Sequence, residues 1–182
     1  MRWNLFSRTL LGIFAVASLT ACTNSHAKSP DVSDAIRNSL YQAGLNNVSV
    51  SQDRDKGVVT LTGTTPTDAD RANAESIARS LAGGQVVADQ IAVRPQGEES
   101  TAKKIDSDLD SGIEKNLDAS LLQHHLEHSV KYHVKNGVVT LTGKVNSQSR
   151  RAAVAKLAAG VPNVRQVVNE LQIKDQKATG SY

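Results

Sequence analysis

The sequence is poor in the residues on which most binding and catalytic sites depend. One cysteine in 182 residues excludes an intrachain disulfide and a zinc site built on cysteines. Only six residues are aromatic, and three of these lie within the first fourteen positions. The remaining Tyr41, Tyr132 and Tyr182 are too few for the stacking platforms that bind single-stranded nucleic acid. No serine lies in a Gly-x-Ser-x-Gly elbow. We therefore predict no enzyme, no nucleic-acid partner, no cofactor and no small-molecule substrate.

The amino terminus predicts a targeting segment. Arg2 and Arg8 form a positive start before an apolar run at residues 10–19 (LLGIFAVASL). Ten apolar residues suit the core of a signal peptide and fall short of the roughly 20 that a membrane-spanning helix needs. Cleavage before Cys22 would leave 19 of the 21 basic side chains against all 18 acidic ones. The remaining chain is then almost neutral, without the strongly basic field of a nucleic-acid binder.

The end of that segment, Leu19-Thr20-Ala21-Cys22, resembles the lipobox of bacterial lipoproteins. The resemblance implies cleavage before Cys22 and acylation of its thiol and of its new amino group. It also implies the outer membrane, with the protein facing the periplasm, because Thr23 stands where an inner-membrane lipoprotein has aspartate. An ordinary cleaved signal peptide with an incidental cysteine is the alternative.

An internal repeat dominates the rest of the chain. Residues 57–63 (GVVTLTG) recur unchanged at 137–143, an offset of 80. The offset continues without a gap to the pairs Arg71/Arg151 and Ile91/Leu171. Upstream, Ile36 matches Ile113 at an offset of 77, which predicts three extra residues before the first strand of the second copy.

The repeat and the composition between its copies predict six segments. The segment at 96–104 begins with Gln, Gly and two Glu after Pro95, a composition typical of a linker. The predicted segments are a lipoprotein signal peptide (1–21), a tether (22–30), a first domain (31–95), a linker (96–104), a second domain (105–174) and a tail (175–182).

Hydrophobic spacing predicts the same element order, α-β-β-α-β, in both domains. Each is expected to be an α+β unit with a three-stranded mixed sheet and two helices on one face. Ser29-Pro30 and Thr65-Pro66 are interpreted as the starts of the first two helices. The expected buried stripes are Ala69, Ile77 and Leu81 in the second helix, Ile105, Leu109, Ile113 and Leu117 in the third, and Ala153, Leu157 and Val161 in the fourth.

This order, with GVVTLTG on the second strand and Val-x-Asp/Asn-x-Ile/Leu on the last, resembles the BON domain. Two copies behind a lipobox resemble the dual-BON-domain outer-membrane lipoproteins, and the soluble members of the family are osmotically induced periplasmic proteins. The resemblance implies phospholipid-interacting modules that support envelope integrity. We interpret Gly57 and Gly137 as tight-turn residues, and Gly63 and Gly143 as strand ends where a side chain would obstruct.

Charge differs between the two copies. Residues 31–95 carry 6 basic and 8 acidic side chains, whereas residues 105–182 carry 10 and 8. Lys144, Arg150 and Lys156 replace neutral or acidic residues of the first copy, and Arg151 lies beside them. We interpret these four as candidates for binding anionic lipid. An ordinary solvated surface is the alternative. The third helix, rich in aspartate, would repel anionic headgroups.

The segment 124–128 (HHLEH) contains three histidines. His124 and His128 would share a helical face, as metal ligands do, but the segment falls where the sequence predicts a loop and is not a His-Glu-x-x-His motif. We predict no metal site. Protonation of His124, His125 and His128 below about pH 6.5 would add positive charge to the second domain.

The sequence thus favours a non-enzymatic envelope lipoprotein that binds an anionic phospholipid membrane through its second domain and supports envelope integrity under stress. A periplasmic chaperone or an adaptor for envelope proteins is the alternative. The two differ in one respect: salt and charge reversal should weaken lipid binding and leave a chaperone unaffected.

Overall fold

The computed structural model describes residues 28–174. The predicted signal peptide, Cys22, most of the tether and the tail lie outside the described residues. The first unit comprises α1 (Ser33–Gln42), β1 (Val48–Asp53), β2 (Val58–Thr65), α2 (Asp68–Leu81), β3 (Val86–Asp89) and β4 (Ala92–Val93). The second comprises α3 (Glu99–Gln123), β5 (Val130–Lys135), β6 (Val138–Val145), α4 (Gln148–Ala159), β7 (Gln166–Asn169) and β8 (Gln172–Ile173).

Both units have the predicted α-β-β-α-β order and the predicted mixed sheet. In the first, β1 pairs antiparallel with β2, and β3 and then β4 pair parallel with it. The second repeats this with β5, β6, β7 and β8. The last strand is interrupted because Asp89 and Asn169 accept the backbone N–H two residues on, at 3.1 and 3.2 Å, and so turn the chain. The predicted fold class is confirmed.

Each sheet buries one face under its two helices. The fully buried side chains Ile36, Leu40 and Leu61 form the first core, and Ile113, Leu117 and Leu141 form the second. Burying one such aliphatic side chain stabilises the fold by about 1.5–3 kcal/mol.

The predicted stripes of α2 and α4 were only partly right: Val161, after the end of α4, is buried, and Ile77 and Leu157 pack against the cores from partly buried positions. In α2 the buried residues are Ala74 and Ala78, while Leu81 is 36% exposed and Ala69 is exposed. In α4 they are Val154 and Ala158. These helices lie against the sheet through small residues, and their longer apolar side chains flank that contact. Spacing alone could not separate the two sets, because both recur at helical intervals.

The long third helix also differs from the prediction. Its buried residues are Ile113, Leu117 and Leu121, whereas Ile105 and Leu109 are 53% and 42% exposed. The predicted linker is irregular only as far as Glu98, because α3 begins at Glu99. The amino-terminal half of α3 therefore extends beyond its own core towards the first unit.

Corresponding helices align at an offset of 81, not 77. The pairs Leu40/Leu121 and Leu45/Leu126 occupy equivalent buried places, and Gly44 and His125 both have a positive φ after the helix end. The second unit has one extra residue before its first strand rather than three. Its hairpin turn is two residues shorter, Asn136-Gly137, which restores the offset of 80. Both residues of this turn have a positive φ, which is typical of a tight hairpin.

The predicted helix starts were displaced. Ser29 is not a cap: its N–H donates to Arg54 O at 2.9 Å, and the Asp31 carboxylate accepts from Ser33 N instead. In α2 the cap is Thr67, whose hydroxyl accepts from Asp70 N at 3.1 Å. Each Pro lies before the helix rather than in its first turn.

The two units pack through the sheet faces that carry no helices. Val58 and Ala88 of the first unit and Val138 and Val168 of the second form one buried cluster. Both pairs differ by 80 positions, so equivalent residues of the two units meet each other. The interface is therefore approximately two-fold symmetric within one chain.

Polar contacts fix this interface in register. The Gln166 amide bonds the edge of β3, accepting from Asp89 N at 3.0 Å and donating to Val87 O at 2.6 Å. Lys56 Nζ lies 2.7 Å from the Glu170 carboxylate. Asn136, which occupies the place of Lys56 in the second unit, donates to Gln90 O at 2.7 Å. The open edge of β3 is thereby satisfied by a side chain instead of another strand.

Candidate functional site

On the helix-free sheet face of the second unit, the part that the first unit leaves uncovered is exposed and basic. Side chains alternate along β5, so that Val130, Tyr132 and Val134 lie on the helix side and every other residue lies on the opposite side. The opposite side of β6, where Val138 joins the inter-unit cluster, also carries Thr140, Thr142 and Lys144. We call Lys131, His133, Lys135 and Lys144 the basic sheet face; all four are exposed.

The lysines of the basic sheet face are not paired with acids. Among residues 28–174, no carboxylate lies within 4.0 Å of Lys131, Lys135 or Lys144. Lys131 faces Thr142, and His133 faces Thr140, across the β5–β6 pair. The face therefore alternates basic groups with hydroxyls and keeps its positive charge available to an approaching anion.

Charge is separated within the second unit. Helix α3 (Glu99–Gln123) carries six acidic and three basic side chains, whereas residues 124–174 carry two acidic and eight basic ones. One of those two acids, Glu170, is paired with Lys56 of the first unit. The sheet and α4 thus form a positive region behind an acidic helix.

The first unit has no equivalent surface. Ser49, Ser51, Asp53 and Thr64 occupy the places of Lys131, His133, Lys135 and Lys144. The end of that sheet also faces the amino-terminal half of α3, where Arg94 pairs with Asp106. A groove of about 580 Å³ separates α3 from Thr64 and Ala92 there, and Lys135 of the second unit lines it as well. Only the second unit offers an open basic face.

The four predicted lipid-binding residues do not form one surface. Lys144 lies on the basic sheet face, whereas Arg150, Arg151 and Lys156 belong to α4 on the other side of the sheet. Arg150 and Lys156 are exposed, about 120° apart around the helix at 100° per residue. Arg150 lies at the edge of a small cavity of about 140 Å³ lined by Leu126, Val154 and Leu157.

Arg151 has a structural contact instead. Its guanidinium donates to Asn169 O at 2.9 Å, and Asn169 returns a bond to Arg151 O at 3.1 Å. Its Nε is buried without a protein partner. Arg151 therefore joins α4 to the end of β7 and is not free to meet a membrane.

The four glycines lie at positions of positive φ. A Cβ at Gly63 would lie 2.0 Å from Asn47 O, and one at Gly143 would lie 2.3 Å from Ser129 O. Gly57 and Gly137 occupy the hairpin turns at φ +66° and +75°. The Asp110 carboxylate accepts from Asn136 N and Gly137 N, each at 2.8 Å. α3 thus holds the second turn in place.

The histidines do not share a helical face, because α3 ends at Gln123 and residues 124–128 form the following loop. His128 is 93% exposed and lies 3.8 Å from Glu127. Among residues 28–174, no three His, Cys, Asp or Glu side chains are close enough to hold a metal ion. Within the same range, no helix combines the length and the apolarity needed to cross a bilayer.

A charged cluster lies between the units. Arg71 Nε is 3.7 Å from the carboxylate of Asp89, and Arg165 donates from Nε to Asn136 O at 2.8 Å. Burial raises the pKa of Asp89, and burial together with Arg71 lowers the pKa of Arg165. Burial and the neighbouring Asp118 carboxylate raise the pKa of Tyr132 on the helix side of β5. These groups are bonded to the fold, and we assign them to its architecture.

Sequence analysis did not assign Lys131, His133 or Lys135 to the candidate lipid-binding surface. The signal was present in residues 130–135 (VKYHVK), where apolar or aromatic residues alternate with basic ones. Comparing strands as well as helices between the two copies would have found the substitution of lysine and histidine for serine.

The comparison with protein families agrees with this architecture. The family model for the BON domain matches residues 30–95 and 106–175. No curated protein matches the chain. Two solved structures of CdsD, a structural protein of the type III secretion system of Chlamydia trachomatis, are similar at 16% and 15% identity. The two alignments cover 76% and 82% of this chain and 90% and 100% of the respective CdsD chains, and each has a TM-score of 0.34.

Proposed function

This chain belongs to the BON-domain family, with two BON domains in tandem, and we propose that it is an envelope lipoprotein that binds the surface of anionic phospholipid membranes. BON domains are associated with membrane and phospholipid interaction, and the family is generally non-catalytic. In this proposal Cys22 carries the acyl anchor in the outer membrane, and both domains face the periplasm. Its role is to support the integrity of the envelope, including under osmotic stress.

The charge separation of the second domain is the observation that carries the proposal. Eight of the ten charged side chains between residues 124 and 174 are basic, although the whole chain is close to neutral. Each lysine or arginine near an anionic leaflet contributes about 1 kcal/mol to binding.

Vesicle co-flotation of residues 23–182, which carry no acyl group and retain every described residue, tests this function. We expect the protein to float with phosphatidylglycerol-containing vesicles at low salt, to be released at high salt, and to stay behind with pure phosphatidylcholine. Flotation with neither kind of vesicle would contradict the proposal. Equal flotation with both, unaffected by salt, would contradict its electrostatic basis.

A protein adaptor is the second candidate, favoured by the exposed apolar pair on α3. Ile105 and Leu109, one helical turn apart, are 53% and 42% exposed on an otherwise acidic helix. An adaptor that used this pair would be indifferent to the lipid composition of the vesicles.

A further inference from the structure

We propose that the basic sheet face lies directly on the headgroups of an anionic membrane, and that the amino-terminal tether leaves the fold on the same side. The inference rests on the proposed function and names the surface that performs it. The residues Lys131, His133, Lys135 and Lys144 take the place of the α4 surface that the sequence favoured.

The first argument is the geometry of the face. A strand places alternate side chains at about 6.6 Å intervals on one side, so Lys131, His133 and Lys135 form a straight row. Lys144 extends the surface along β6, beyond Thr142, the register partner of Lys131. The first unit covers this face at Val138 and Val168, which leaves the β5 row and the Lys144 end of β6 open. The ammonium groups and hydroxyls of that open part can meet several phosphates at once. A helix directs only a narrow stripe at a plane.

The second argument is where the tether begins. Ser29, next to the first described residue, is bonded to Arg54 in the β1–β2 turn, from N to O at 2.9 Å and from Arg54 Nε to Ser29 O at 2.7 Å. From the same turn, Lys56 reaches Glu170 at 2.7 Å. Glu170 precedes β8 by two residues, ~7 Å of chain, and β8 residue Gln172 is the register partner of Lys144, ~5 Å away.

The tether is short enough for this position to matter. The seven residue steps from Cys22 to Ser29 span at most ~25 Å, so an anchor on Cys22 holds Ser29 within that distance of the bilayer. Because Ser29 is joined through Arg54 and the β1–β2 turn to Glu170, the anchor also limits how far the Lys144 end of the second sheet can lie from the membrane.

The third argument is the position of the acids. Asp106, Asp108, Asp110, Glu114 and Asp118 all lie on α3, which packs on the helix side of the second sheet. Tyr132, also on that side, bonds Asp118. A membrane on the helix side would meet the whole acidic helix, whereas on the sheet face only Lys135 shares a groove with Asp106, Asp110 and Glu114.

Two matched double variants test this surface in the same flotation assay. Lys131→Glu/Lys144→Glu reverses two exposed charges on the sheet face, and Arg150→Glu/Lys156→Glu reverses two exposed charges on α4. At about fivefold per lysine, we expect the sheet-face variant to bind phosphatidylglycerol vesicles at least ~25-fold more weakly than the parent. We expect the α4 variant to lose much less. Thermal unfolding checks that each variant is folded, and Lys131→Gln/Lys144→Gln replaces the first if it is not.

Every other pattern would overturn the inference. Stronger loss in the α4 variant would place the membrane on the helix side, with the proposed function intact. Equal loss in both would mean that net charge alone matters. Unchanged binding in both would exclude both surfaces, and failure of the parent to float would remove the proposed function with them. Release of bound protein by a soluble polyanionic glycan but not by salt of equal ionic strength would favour a different class of partner.

Discussion

Gly143→Ala is expected to unfold the second domain. The new Cβ would lie 2.3 Å from the carbonyl oxygen of Ser129 and 3.3 Å from its carbonyl carbon, and the residue has φ +121°. Both obstacles are backbone atoms, so no side chain can move aside. Because backbone strain of this kind costs about 1–3 kcal/mol before the overlap is counted, the total is a large part of the 5–15 kcal/mol that stabilises a domain.

Gly63→Ala should behave in the same way in the first domain, where the Cβ would lie 2.0 Å from Asn47 O. Gly112→Ala is the control, because nothing lies within 4 Å of its Cβ and its φ is ordinary for a helix. We expect that control to gain about 0.5–1 kcal/mol, since glycine weakens a helix interior. Urea unfolding followed by circular dichroism measures all three. A Gly143→Ala protein as stable as the parent would refute the close approach of the two backbones.

Val168→Asp is expected to separate the two domains without unfolding either. Val168 is 1% exposed and contacts the other domain within the cluster of Val58, Ala88 and Val138. It lies on the sheet face opposite its own helices, so its own core is untouched. An unpaired carboxylate buried there costs several kcal/mol, and the interface can avoid that cost by opening.

Ser51→Asp is the matched control, because Ser51 lies exposed on the equivalent open face of the first sheet. For Val168→Asp we expect proteolysis to become rapid between the domains, near residues 94–98, with both cores still protected. We expect the control to resist as the parent does. A Val168→Asp protein that is cleaved no faster than the parent would show that the polar contacts, such as those of Gln166, hold the domains together alone.

The sequence predicted the architecture because the repeat is almost undisturbed where the architecture is set. GVVTLTG fixes the central strand of each sheet, and the Asp89 and Asn169 positions end the strand beside it in the same way. Local hydrophobic order and turn chemistry agree there, so pattern alone gives the element order.

Helix faces were predicted less well, for a physical reason. Close packing on a sheet favours alanine at the contact, as at Ala74 and Ala78, and the larger apolar side chains then lie at the sides. A method that weights hydrophobicity places the contact on the larger residues. In α3 the same weighting assigned Ile105 and Leu109 to a core that does not extend that far.

The candidate site could be predicted only in part. Lys144 was identified by comparing the copies, but Arg151 could not be recognised as a structural residue without its bond to Asn169. The grouping of Lys131 and His133 with Lys144 depends on strand register, and the exposure of their sheet face depends on how the two domains pack. No sequence pattern reports that packing, because the interface consists of four small apolar residues and a few polar contacts.

The most direct test of the membrane-facing surface is a site-specific probe. Residues 23–182 contain no cysteine, so His133→Cys on the sheet face and Lys156→Cys on α4 can each carry a single polarity-sensitive fluorophore. With phosphatidylglycerol vesicles that contain a headgroup-attached quencher, we expect the probe at position 133 to be strongly quenched and the probe at 156 to remain close to its value in solution. Quenching at 156 with position 133 unaffected would contradict the account and place the membrane on the helix side.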